Sequence, residues 1–169
     1  AGLVFADHIT TVSPTYATEI CSAPGGMGLE GLLRQRCDIL VGILNGIDSS
    51  TWDAATDPFL AHRYDANSLH VKTRNKTSLQ HEMRLTEHTD RPLLGFVGRL
   101  AEQKGLELLL PVLEDIIGSP AQVVILGKGD PDYELRLRAQ AQAHPESIAT
   151  VVAYSEGLAH RIEAAADIF

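Results

Sequence analysis

From Arg91 onward, apolar positions come in blocks of two different periods. RPLLGFVGRL (91 to 100) is a short apolar run bounded by Pro92 and a polar turn, which predicts a buried strand. In the next block Leu106, Leu109, Leu110, Leu113, Ile116 and Ile117 recur at three- and four-residue spacing, the signature of one helix face. Gly118 and Pro120 stop that helix, and Pro111 predicts a kink or a first-turn boundary inside it. AQVVIL (121 to 126) is a second strand, rich in β-branched residues. Asp130 and Pro131 read as an N-cap and first helical residue, opening a helix to about His144 with Glu134 and Arg138 as an i,i+4 pair. Ile148 to Ala153 is a third strand, Glu156 to Ala166 a third helix, and Asp167-Ile168-Phe169 the start of a fourth strand. Strand and helix in strict alternation require parallel pairing, the first half of a doubly wound α/β domain.

The first half is less regular. Ala1 to Phe5 reads as a strand-and-turn element, Ile9 to Val12 as a strand, and Ser13-Pro14 as the cap of a short helix, TYATEI. Ala23 to Gly28 is a glycine-rich loop, and Leu40 to Leu44 a strand ending at Asn45-Gly46-Ile47-Asp48. Residues 49 to 66 show no period and read as a surface connection; residues 68 to 85 read as a moderately amphipathic helix with Leu69, Leu79 and Met83 inward.

Composition narrows the function. The chain has 169 residues, 44% hydrophobic and 21% charged, enough for one domain or one and a half with a real core. No run approaches the ~18 apolar residues of a membrane helix, and no signal peptide opens the chain. A formal charge of −8 argues against a nucleic-acid-coating surface. Cys21 and Cys37 read as reduced thiols, small hydrophobes of a cytosolic protein. Neither end carries a polar fringe, which points to a piece of a longer protein.

An acidic chain that binds an anion must concentrate its cations locally. In open parallel sheets, ligands bind outside the carboxyl ends of the strands. There Arg99 ends the first strand, Lys104 opens the following helix and Lys128 ends the neighbouring strand, with Gly98, Gly105, Gly127 and Gly129 allowing close backbone approach. The arrangement fits the diphosphate of a nucleotide; ordinary solvated charges are the alternative. Tyr154 follows the third strand on the same edge, where it either stacks on a nucleobase or rests half-buried with its hydroxyl at the surface. Other motifs fail. Gly127 to Asp132 is not GxGxxG, no GxxxxGK[ST] or GxSxG occurs, and His81-Glu82-Met83-Arg84-Leu85 has Leu85 where a zinc HExxH needs its second histidine. The seven histidines show no ligand spacing and read as surface residues; Asn75-Lys76-Thr77 matches a glycosylation sequon by chance.

ADHITTVSPTYATEI (6 to 20), GMGLEGLL (26 to 33), GILNGIDSSTWDAATD (42 to 57), GFVGRLAEQKGLELL (95 to 109) and ILGKGDPDYE (125 to 134) occur in this order. Together they resemble the bacterial glycogen synthases and plant starch synthases. The resemblance implies a GT-B fold of two Rossmann-like domains. Residues 1 to 48 would finish the N-terminal domain, 49 to 90 connect, and 91 to 169 form the first half of the nucleotide-sugar domain. It implies a retaining, metal-independent transfer of glucose from the donor ADP-glucose to the 4-hydroxyl at the non-reducing end of an α-1,4-glucan. The compartment would be the cytoplasm, or the plastid in a plant or alga.

In that family the Arg and Lys of GRLxxQKG stabilise the leaving phosphate, which matches Arg99 and Lys104. The tyrosine after the third strand contacts adenine, matching Tyr154, and the asparagine of LNGID, Asn45, helps shape the sugar-phosphate site or is only a turn former. Gly98 and Gly127 are expected to lie against the donor. The chain lacks the family's N-terminal lysine-glycine loop, its glucose-contacting histidine and the PSRFEPCGL-type segment, and has WDAATD for WNPATD, so by itself it is expected to be inert. A GT-B enzyme using UDP- or GDP-sugars, or a non-catalytic Rossmann-like binding module, are the other readings.

Overall fold

The computed structural model describes residues 2–169, and the chain divides into two compact units, Ala1–Asp48 and Ser49–Phe169. The first unit is built on two short parallel strands, β1 (Ile9–Thr11) and β2 (Leu40–Gly42), paired Ile9 to Leu40 and Thr11 to Gly42. Where a strand-and-turn element was expected at its start, Gly2–Phe5 is a short helix, α1. No neighbouring strand supplies a ladder there, and the Gly2 carbonyl instead accepts from the Ala6 amide at 3.0 Å. The Arg36 guanidinium donates to the carbonyls of Val4 and Ala6, tying α1 down.

Helix α2 (Pro14–Glu19) starts as its sequence directs: the Ser13 hydroxyl accepts from the Tyr16 amide at 2.9 Å, and proline opens the first turn. The expected glycine loop contains a helical turn, α3 (Ala23–Gly26), ended by Met27 and Gly28 at positive φ, 49° and 87°. Its glycines serve close packing, because a Cβ on Gly25 would stand 2.4 Å from the Glu19 carbonyl oxygen. Helix α4 (Glu30–Gln35) follows and buries Leu33.

The second unit holds a parallel sheet in the order β3 (Leu93–Val97), β4 (Gln122–Gly127), β5 (Ile148–Val152). Where the start of a fourth strand was expected, Ile168 makes a single parallel bridge to Leu94 on the remaining edge of β3. All six residues of β4 are buried, as a central strand covered on both faces requires. Val124 and Leu126 pack with Leu79, Leu158 and Ile162, from helices α5 (Lys72–Met83) and α8 (Glu156–Ala165). Val123 and Ile125 pack with Leu106, Leu110, Leu113 and Leu137, from helices α6 (Leu106–Gly118) and α7 (Pro131–Ala143). Gly95 lets α8 come close: a Cβ there would meet the Ile162 side chain at 2.7 Å.

Pro111 sits inside α6, past its first turn. The Asp130 cap forms, its carboxylate accepting from the Asp132 amide at 2.8 Å. Glu134 does not pair with Arg138; its carboxylate accepts from the Gly129 amide at 2.9 Å, and the i,i+4 pair on α7 is Arg136 with Asp132. The first of these bonds uses a backbone donor that would otherwise stay unpaired.

Residues 49 to 90 fold as part of the second unit. Helix α5 is shorter than expected and follows a 3₁₀ turn at Leu69–Val71, with Leu69 exposed. Its inward stripe is largely polar: Asn75, Lys76 and Gln80 are buried beside Leu79. The Lys76 ammonium donates to the carbonyls of Thr89 and Arg91 at 3.1 and 2.5 Å and to Asp167 Oδ2 at 2.7 Å. Gln80 Nε2 donates to Gln122 Oε1 at 2.6 Å, and Gln122 Nε2 to the Thr86 and Glu146 carbonyls. Across the helix pair, Arg161 of α8 forks onto the Glu82 carboxylate at 2.9 and 2.8 Å.

Candidate functional site

The backbone ladder continues past the carboxyl ends of the strands. The Gly98 amide donates to the Leu126 carbonyl at 3.0 Å, the Leu100 amide to Lys128 at 3.2 Å, and the Ala153 amide to Gly127 at 3.1 Å. Residues 98–100, 127–129 and 153–154 therefore lie side by side, with neighbouring backbones about 4.8 Å apart. Gly127 and Gly129 are needed for this approach itself. A Cβ on Gly127 would stand 2.0 Å from the Gly98 carbonyl oxygen, and one on Gly129 2.2 Å from that of Leu100.

Above these ends opens a cavity of about 470 Å³. Gly98, Arg99, Gly127, Lys128 and Tyr154 line it, and so do Trp52, Glu156 and Glu163. Four of the six expected site residues thus share one cavity: Gly98, Arg99, Gly127 and Tyr154. Lys104 does not line it. It closes a 3₁₀ turn, Glu102–Lys104, before Gly105, whose φ of 74° suits glycine, turns the chain into α6. Asn45 belongs to the first unit, in the irregular stretch after β2. Gly46 has no positive φ, so the Asn-Gly pair forms no hairpin turn of the kind that needs one.

The cations differ sharply in their partners. Arg36, Lys72, Lys76, Arg136 and Arg161 are all engaged by protein oxygens. Arg99, Lys104 and Lys128 are exposed, and among the described residues none of them pairs with a carboxylate. Glu156 and Glu163 bring negative charge to the rim. Partial burial pushes the Glu163 carboxyl up from its ordinary value, and the nearby His160 works against that rise. Tyr154 is 92% exposed, so its ring is free to meet a ligand rather than packed into the protein. Free cations at the strand ends beside an exposed ring can hold an anion that carries a flat group.

Beside this cavity lies a group that the sequence reading missed. His160, expected at the surface with the other histidines, is 2% exposed on α8. Its Nδ1 meets Asp57 Oδ2 at 2.6 Å, and the Trp52 ring stacks flat on the imidazole, centroids 3.8 Å apart at 8°. Phe59 tilts against its side at 5.0 Å. The apolar pattern of α8 does not mark it, since His160 sits off the stripe of Leu158, Ala159, Ile162 and Ala165 that joins the core. Its partners come from the aperiodic stretch 49 to 66, which gave no means of placing them. Near the abandoned zinc motif, His81 Nδ1 lies 3.2 Å from Glu87. Among the described residues no group of three or more His, Cys, Asp or Glu side chains is arranged to hold a metal.

Comparison with known proteins agrees with this geometry. The starch synthase catalytic domain model matches residues 1–35, and the glycosyl transferases group 1 model matches residues 80–168. A glycogen synthase of Anaeromyxobacter sp. (strain Fw109-5) is 51% identical over 169 residues, covering 100% of this chain and 36% of the relative. One from Cellvibrio japonicus is 49% identical over 168 residues, covering 99% and 35%. The catalytic domain of starch synthase IV from Arabidopsis thaliana, solved bound to ADP and acarbose, superposes with a TM-score of 0.93 at 36% identity. That match covers 99% of this chain and 35% of the other. The chain therefore spans about a third of the length of these relatives.

Proposed function

We propose, from the premise that this chain belongs to the glycosyl transferases group 1 family and is similar along its whole length to glycogen synthases, that it is a segment of a retaining transferase. The donor is ADP-glucose and the acceptor the non-reducing end of an α-1,4-glucan. The observation that carries this is the pair of exposed, unpaired cations at adjacent strand ends, Arg99 and Lys128, on one cavity with the exposed ring of Tyr154.

Charge develops on the diphosphate as the glucosyl bond breaks, and preorganised cations lower the barrier by stabilising it. Arg99 and Lys104 take that role, and Lys128 adds to the local positive field. Tyr154 stacks on adenine, and Gly98 and Gly127, which carry no side chain, leave the backbone open to the donor. On this reading residues 1–48 finish the acceptor-side domain, 49–90 connect, and 91–169 begin the nucleotide-sugar domain. The reaction is cytoplasmic, or plastidic in a plant or alga, and the free thiols of Cys21 and Cys37 fit a reducing compartment.

The test is turnover by the full-length protein. Arg99→Ala and Lys104→Ala should each lower kcat by about 10²–10³-fold with the fold intact, the cost of removing one preorganised charge-stabilising donor. Near-normal turnover in both variants rejects the assignment.

A further inference from the structure

We infer that Asp57 and His160 are positioning residues: they fix the Trp52 ring as a wall of the cavity, and the base or ribose of the bound nucleotide packs on that ring. The inference rests on the proposed donor reading and adds a specificity element to the same site.

Trp52 borders the main cavity together with Arg99, Lys128 and Tyr154. It is a large apolar side chain left 42% exposed, on a stretch with no regular secondary structure to hold it. An unrestrained indole in such a place would sample several rotamers. Here one of its faces lies flat on His160. The imidazole in turn cannot rotate freely. Its Nδ1 is bound to Asp57 Oδ2, Phe59 leans on its side, and α8 buries the rest. Asp57 is fixed as well, because its Oδ1 accepts from the Phe59 amide at 2.8 Å.

A buried carboxylate–imidazole pair carries a desolvation cost that an apolar residue at the same helix position would avoid. What the pair supplies is orientation, since the carboxylate sets the plane of the imidazole and the imidazole sets the plane of the indole. His160 Nε2 is buried with no partner among the described residues, so the bond to Asp57 is the one hydrogen bond among them that orients the ring. The indole also borders a second cavity of about 210 Å³ that His160 and Asp57 line, and so forms a partition between the two. A flat, π-faced ligand is the class that a fixed aromatic wall recognises, and the base of a nucleoside diphosphate is such a ligand.

Trp52 is the one tryptophan of the chain, so its emission reports on this wall alone. The experiment titrates the 169-residue chain with ADP and with inorganic pyrophosphate, by calorimetry and by tryptophan emission. ADP is expected to change the emission with the calorimetric midpoint. Trp52→Ala should weaken ADP by at least about fivefold, the low end of base–aromatic stacking, with Trp52→Phe recovering most of the loss. His160→Gln retains a hydrogen-bonding group for Asp57 but no ring. It should weaken ADP and leave pyrophosphate unchanged. Calorimetric ADP binding with emission unmoved and Trp52→Ala unaffected overturns this inference and spares the donor reading. Equal losses of ADP and pyrophosphate in His160→Gln also overturn it, since they mean a merely structural role. No calorimetric ADP binding at all overturns this inference and leaves the donor reading to the turnover test on the full-length protein. If His160→Gln fails to fold, the exposed-site Trp52 variants decide the question.

Discussion

Lys76→Met removes a buried ammonium while keeping the length and most of the volume of the side chain. In the native structure Lys76 is 4% exposed and gives hydrogen bonds to the Thr89 and Arg91 carbonyls and to Asp167. Hydrogen bonds from a charged donor contribute roughly 1.5–3 kcal/mol each, so the two carbonyls account for about 3–6 kcal/mol. The Asp167 side chain is 43% exposed and also accepts from the Leu93 amide, so its ion pair adds only about 0–1 kcal/mol. Methionine also relieves the desolvation cost of the ammonium, which offsets part of this loss. The net expectation is a destabilisation of about 2–4 kcal/mol. Urea unfolding of the chain, followed by Trp52 emission as a probe of the second unit, should show a lower midpoint at unchanged slope. A double-mutant cycle with Asp167→Asn should give a coupling below about 1 kcal/mol. A loss under about 0.5 kcal/mol would refute the reasoning.

Gly127→Ala should cost about 3 kcal/mol or more and lower Tm, because the new Cβ would press on the Gly98 carbonyl at 2.0 Å from a central strand; an unchanged melting curve contradicts this. Asp130→Ala removes the cap of α7 and should cost about 1 kcal/mol, read from the same urea midpoints. Glu163 has a folded-state pKa raised by burial, so its charged form is disfavoured in the folded chain, and stability falls as pH rises through the window above its ordinary value of 4.5. Glu163→Gln should therefore raise Tm at pH 7 and change it little below that window; the opposite order of effects rejects the assignment.

The parallel core was legible because its strands and helices carry clean apolar periods. Val123 to Leu126 read as a strand and the Leu106 series as a helix face, and both took those places. The strand-end cations were legible for the same reason, since where a parallel strand ends its ligand edge begins. Helix α5 was poorly read because its buried stripe is made of Asn75, Lys76 and Gln80, whose burial depends on carbonyls and side chains contributed from residues 62 to 167. Hydrophobic periodicity carries no trace of such partners. The Trp52–His160–Asp57 group escaped notice because it joins positions 103 residues apart through a stretch with no period of its own. The strand-and-turn element expected at the start is a helix at Gly2–Phe5, because so short an apolar run fits either element and only the tertiary partner decides between them.

The central claim is that the free cations at adjacent strand ends, Arg99 and Lys128, together with Lys104 in the turn after β3, bind a nucleotide diphosphate. Calorimetric titration of the chain with ADP, adenosine and inorganic phosphate at several salt concentrations tests it most directly. The account predicts that ADP binds more tightly than either part, that the advantage over adenosine shrinks as salt rises, and that Arg99→Ala or Lys104→Ala lowers ADP toward the affinity of adenosine. ADP binding no tighter than inorganic phosphate, or unaltered in both variants, would contradict it.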